Sequence, residues 1–148
     1  MEMTGEQLIP MAQEQTWQAL NDTAVLKDCI PGCETIERTS ENEYQLVMTA
    51  KVGPVSAKFK GKMTISDAEP PNAYTLVFEG QGGVAGFAKG QASVKLTPED
   101  GATRLGYSVK AMIGGKLAQV GARLIDGVAK KMADQFFTNF NKRASGGS

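Results

Sequence analysis

Residues 114–141, GGKLAQVGARLIDGVAKKMADQFFTNFN, carry apolar side chains at helical spacing over about seven turns, a longer run of one period than any other part of the chain. Leu117, Val120, Leu124, Val128, Met132, Phe136 and Phe140 form one stripe, widened by Ile125 and Phe137. Arg123, Asp126, Lys130, Lys131 and Asp134 fall mostly on the other side, as in a helix with one buried face. A helix of this length needs a wide surface to lie on, and most of the upstream chain reads as strands. The simplest architecture is α+β, one long helix gripped by a curved antiparallel sheet. Gly114 and Gly115 suit the turn from strand to helix. Gly121 and Gly127 each cost roughly 1 kcal/mol against alanine inside a helix. They leave two readings open, close backbone packing or open space for a ligand.

Working back from the helix, the period is two. Leu105, Tyr107, Val109, Ala111 and Ile113 share one face of a strand, after a turn at Pro98-Glu99-Asp100-Gly101. Ala88, Gly90, Ala92, Val94 and Leu96 form the strand before it, and Tyr74, Leu76 and Phe78 the one before that, entered through Glu69-Pro70-Pro71-Asn72. Val55, Ala57, Phe59, Gly61, Met63 and Ile65 alternate with Ser56, Lys58, Lys60, Lys62, Thr64 and Ser66. The lysine row reads as a solvated outer face that discourages edge pairing. Tyr44, Leu46, Met48, Ala50 and Val52 make another strand, after a shorter one near Glu34–Arg38 and a polar turn at residues 40–43. Met1–Leu8 reads as the opening strand. Two short helices follow, one carrying Trp17 and Leu20 from Pro10 onward, the other capped by Asp22 or Thr23 and ended by Pro31-Gly32. One domain over residues 1–143 and a flexible Gly/Ser tail over 144–148 are expected.

Composition narrows the function. Sixteen basic and sixteen acidic residues balance, which argues against a nucleic-acid binder. No apolar run is long enough to span a bilayer and no secretory leader is apparent, so a cytoplasmic protein is expected. There is no histidine, which removes the commonest general base and metal ligand. Cys29 and Cys33 alone cannot complete a zinc site, and they read as small half-buried thiols. The glycine run from Gly80 to Gly86 has a dinucleotide-like spacing, but no helix pattern follows to present amides to a phosphate. A flexible hairpin at a cavity mouth suits it better.

The element order resembles the helix-grip fold of the START-like (SRPBCC) superfamily, about seven antiparallel strands around a long C-terminal helix with two short helices after the first strand. Four stretches are similar to the CoxG family, the G subunits of carbon monoxide dehydrogenase: WQALND at 17–22, IPGCE at 30–34, GFAKG at 86–90 and GGKLAQVGARLI at 114–125, with Phe136-Phe137 agreeing too. The resemblance implies a deep apolar cavity between sheet and helix, and work beside a molybdenum-containing dehydrogenase in maturation, membrane recruitment or electron-acceptor supply. It allows a transient contact with the inner face of the membrane.

The expected cavity lining is Trp17, Met48, Phe59, Met63, Phe78, Phe87, Tyr107, Leu117, Val120, Gly121, Leu124 and Val128. Met112, by strict alternation, falls on the outer face beside Lys110. No intrinsic cofactor, metal or catalytic residue is expected. The anticipated ligand is a quinone or lipid held by desolvation of its tail. A surface role through the Lys58, Lys60, Lys62 row or the glycine hairpin is the alternative. A cyclase-type enzyme would need Tyr44, Tyr74, Tyr107 or Glu79 inside the pocket.

Overall fold

In the computed structural model, which describes residues 1–146, strand β1 (Glu2–Ile9) leads into α1 (Gln13–Leu20) and α2 (Thr23–Cys29). Six strands follow: β2 (Cys33–Ser40), β3 (Glu43–Val52), β4 (Val55–Glu69), β5 (Ala73–Gln81), β6 (Phe87–Glu99) and β7 (Ala102–Gly114). A 3-10 turn (Gly83–Ala85) links β5 to β6. The chain closes with a single-turn helix α3 (Lys116–Gln119) and the long α4 (Ala122–Gly146).

All seven strands form one antiparallel sheet in the order β1-β7-β6-β5-β4-β3-β2, so the first strand pairs with the last. The alternation read from the sequence holds: Tyr44, Leu46 and Phe59 are buried while Lys58 and Lys60 are exposed. Met112 is exposed on the outer face, as strict alternation requires. α2 begins where Asp22 accepts a hydrogen bond from the Ala24 amide at 2.9 Å, an N-cap for an otherwise orphaned donor.

The long helix departs from its expected form. Strand β7 keeps Gly114, and the helical run is cut at Gly121, whose φ of +99° an L side chain rarely adopts. A Cβ on Gly121 or on Gly127 would meet nothing within 4 Å, and both residues are exposed. Neither glycine is there for close packing, and neither borders the interior; Gly121 makes the break between α3 and α4. At the other end α4 continues through Gly146, so residues 144–146 of the expected tail lie in its last turn and 147–148 lie outside the described residues.

The interior divides into two packed clusters. One joins Ile9, Leu20, Val25, Cys29, Tyr74, Leu96, Leu105, Phe137 and Phe140, fixing the C-terminal half of α4 to β1 and the short helices. Asn139 donates to the Cys29 carbonyl at 3.2 Å, and Arg143 pairs with Asp28. Thr103 donates to the Met11 carbonyl at 2.8 Å beside the buried Thr16, which ties α1 to β7. The other cluster, Val52, Phe59, Ala85 and Leu117, sits at the opposite end under α3.

Candidate functional site

Between the two clusters the sheet lacks volume, and the register shows why. Read across the inner face, one row runs Leu46, Gly61, Gly80, Ala88, Ile113, and the next Tyr44, Met63, Phe78, Gly90, Ala111. The first row is nearly empty over β4 to β6, at Gly61, Gly80 and Ala88, and the second over β6 and β7, at Gly90 and Ala111. The helix does not refill the space, because it turns Val128, Ala129 and Met132 toward it. A close-packed interior leaves few voids larger than a water molecule. Here a cavity of about 390 Å³ remains. Among the described residues bordering it, Lys62 and Glu79 alone carry polar side chains, and both have outward parity on their strands and are exposed.

A second compartment of about 250 Å³ adjoins it and shares the Ile30, Met63 and Leu76 walls. It reaches toward the first cluster and carries three phenols, Tyr44, Tyr74 and Tyr107. Tyr44 donates to the Asn21 carbonyl at 3.3 Å and accepts from Arg38 at 3.0 Å. Burial, with a smaller push from Tyr44, drives the Tyr74 hydroxyl far above its ordinary range, and burial followed by Asp134 raises that of Tyr107. Both stay protonated at neutral pH, as neutral hydroxyls in an apolar wall. Tyr107 stacks on Phe137 at 5.5 Å between ring centres, and Trp17 meets Tyr74 edge-on at 5.3 Å. The apolar lining and size match the general character of small-molecule sites.

A larger depression of about 1250 Å³ lies open over Lys62, Thr64, Glu79, Lys89, Gln91 and Lys110. Water reaches its charged walls freely, so it offers an apolar ligand little desolvation. Among the described residues no group of three or more His, Cys, Asp or Glu side chains is placed to hold a metal ion, and no helix is long and apolar enough to cross a membrane. Burial raises the thiols of Cys29 and Cys33, which remain free.

Of the residues expected to line the site, Met48, Phe59, Met63, Phe78, Leu117 and Val128 border the larger compartment, and Met63 and Tyr107 the smaller. Five lie elsewhere. Trp17 packs outside against Tyr74, and Val120 packs on the cluster under α3. Leu124 is 38% exposed and lies against Gly53, and Gly121 faces solvent. Phe87 is on the outer parity of β6, its ring 6.0 Å from the Lys89 ammonium. The expected lining omits Ile30, Leu46, Ala88, Ala111, Ile113, Ile125, Ala129 and Met132. Alternation already put Leu46, Ala88, Ala111 and Ile113 inward, and the small members of that group create the space. Of the cyclase candidates, the three tyrosines line the smaller compartment, whereas Glu79 has the outward parity of β5 and an exposed side chain.

A sheet closed over a long helix around an apolar cavity defines the helix-grip, START-like class of proteins. The START superfamily protein from Mycobacterium smegmatis superposes with a TM-score of 0.74 at 10% identity, each chain covered over 99% of its length. The Zhui aromatase/cyclase from Streptomyces sp. R1128 superposes at 0.66 and 10% identity, covering 100% of this chain and 98% of that one. A conserved protein from Geobacillus kaustophilus matches at 0.92 and 31% identity, over 99% of this chain and 96% of the other. No curated protein matches the sequence. The family model for the G subunit of carbon monoxide dehydrogenase (CoxG) matches residues 5–145, and the chain belongs to that family.

Proposed function

We propose that this protein is a non-enzymatic carrier of a hydrophobic small molecule, a quinone or a lipid, serving a molybdenum-containing dehydrogenase of the carbon monoxide dehydrogenase type. The observation that carries the reading is the cavity of about 390 Å³ whose walls are almost wholly apolar. A tail buried there gains roughly 0.8 kcal/mol per methylene, enough for retention without a catalytic group. Family membership supports the partner, and the proposal includes peripheral contact with the inner face of the membrane. A cyclase-type reaction has less support, because Tyr44 is committed to Arg38 and Asn21 and Tyr74 holds its proton. A recruitment role through the outer lysines is weakened by Lys58 and Lys62 being paired to Glu34 and Glu43.

The test is native mass spectrometry of protein purified without detergent, followed by solvent extraction. A stoichiometric quinone or lipid supports the carrier. An apo mass unchanged after incubation with quinones and lipids overturns it. Capture of a molybdenum hydroxylase that survives filling of the cavity would assign the partnership to the surface instead.

A further inference from the structure

The smaller compartment differs from the larger in what its walls can offer a ligand. None of the described residues that line it is charged, and its polar side chains are the three phenols of Tyr44, Tyr74 and Tyr107. The three hydroxyls are not equivalent. Tyr44 donates to the Asn21 carbonyl and accepts from Arg38, which leaves it little to give. Tyr107 is half-buried, its hydroxyl lies over Gly5 on the neighbouring strand, and the Lys130–Asp134 ion pair of α4 is near enough to act on it.

Tyr74 stands apart. It shares the inward parity of Leu76 and Phe78 on β5, is only 8% exposed, and has its ring braced edge-on against Trp17. No group among the described residues hydrogen-bonds its hydroxyl, yet the oxygen is not sealed in by protein, and the space it meets on the inner face is this compartment. A donor fixed in an apolar wall is unfavourable until an acceptor reaches it. An anion is poorly suited to be that acceptor. Arg38 lies over the Tyr44 ring, is exposed and donates to the Tyr44 hydroxyl. The terminal ammonium of Met1, a residue that borders the other compartment, donates to the Ala111 carbonyl. A carboxylate or phosphate buried beside Leu26, Phe136 and Phe137 would lack a counter-ion, which is far more costly than burying a carbonyl.

We propose that Tyr74 sets the cavity's choice of ligand. Its hydroxyl donates to an uncharged, carbonyl-type oxygen on the head of the ligand, which lies in the smaller compartment while the tail runs past Ile30, Met63 and Leu76 into the larger one. A few placed polar groups fix orientation in an otherwise apolar site, and a site that hydrogen-bonds an oxygen rejects the analogue without it. The inference rests on the carrier reading and deepens it, from any apolar molecule to one with a neutral acceptor at one end, and against carboxylates and phosphate esters.

The experiment displaces an environment-sensitive apolar fluorophore from the delipidated full chain at neutral pH with three probes of one chain length, methyl nonyl ketone, undecane and undecanoate. Affinity ratios are compared within each variant, so a general loosening of the fold cancels. Tyr74→Phe keeps the ring, removes the hydroxyl, and lowers the ketone-to-undecane ratio about 5–10-fold. Tyr44→Phe, which removes a hydroxyl already engaged with Asn21 and Arg38, leaves that ratio within about twofold. Wild-type protein binds undecanoate on the order of 100-fold more weakly than the ketone. An unchanged ratio in Tyr74→Phe overturns the assignment and leaves the carrier standing, and so does an equal fall in Tyr44→Phe or undecanoate bound as tightly as the ketone. Wild-type protein that takes up neither the fluorophore nor any probe overturns the carrier reading, and the role of Tyr74 with it.

Discussion

Gly80→Leu tests the cavity at its emptiest point. Gly80 stands between Gly61 and Ala88 on the inner face, borders the larger compartment, and has nothing within 4 Å of where a Cβ would be. No positive φ restricts it to glycine. Burying a leucine side chain contributes about 1.5–3 kcal/mol, and fixing its rotamer costs about 0.5–1 kcal/mol, leaving a net gain of about 1–2 kcal/mol. At this chain length that raises the Tm of delipidated protein by about 5 °C. The same four carbons deny the space to about four ligand methylenes at ~0.8 kcal/mol each, so affinity for an apolar ligand falls on the order of 100-fold. Thermal melts after solvent extraction give the first quantity, and titration with an environment-sensitive apolar fluorophore gives the second. Delipidation matters because a bound ligand would itself raise the wild-type Tm. A variant that melts lower than wild type, or binds the fluorophore equally well, refutes the account of the cavity as volume missing at Gly61, Gly80 and Ala88.

Three further outcomes are expected. Gly127→Ala, inside α4 and exposed with open space around it, stabilises by up to about 1 kcal/mol, whereas Gly121→Ala, forced to positive φ, destabilises by about 1–3 kcal/mol; equal effects in chemical denaturation would refute the helix break. Thr103→Val removes the hydroxyl that donates to the Met11 carbonyl and accepts from Thr16, which keeps its bond to the Ala12 carbonyl, and lowers stability by about 1 kcal/mol, whereas an unchanged denaturation midpoint would contradict that linkage. The third concerns pH. Cys29, Cys33, Tyr74 and Tyr107 all hold their protons more tightly in the folded state, so their contribution is complete below the ordinary values of 9.0 for a thiol and 10.0 for a phenol. It is lost as pH rises beyond them, so the Tm declines progressively above about pH 9, and a flat profile to pH 11 contradicts the assignment.

Strand parity was readable because half of each strand faces water, so the lysines of β4 and the exposed Met112 report which side is out. The length and amphipathic stripe of the last helix were readable for the same reason. Its break was not. A single glycine costs too little to end a seven-turn pattern, and α3 packs on the β5–β6 turn, a contact between segments distant in sequence. The site was legible where large inward residues line it, as with Phe59, Met63 and Phe78. Trp17 and Phe87 show the limit of choosing by size, since an aromatic ring fills space at least as readily as it borders it. What makes a cavity is the cross-strand coincidence of Gly61, Gly80, Ala88 and Gly90, which depends on register between strands.

The pairing of β1 with β7 sets an order of events during synthesis. Met3 lies opposite Val109, and the terminal ammonium donates to the Ala111 carbonyl at 2.9 Å. At roughly 5–20 residues per second, β1 waits on the order of 10 s for its strand neighbour, and the helix that roofs the concave face arrives later still. Throughout that interval the apolar inner face of β3 to β6 has no lid, which makes the nascent chain a client for chaperones and its half-built sheet prone to pairing with another copy. Under the carrier reading, an apolar ligand has nowhere to be enclosed until the ribosome has delivered α4, which puts loading after the fold is complete.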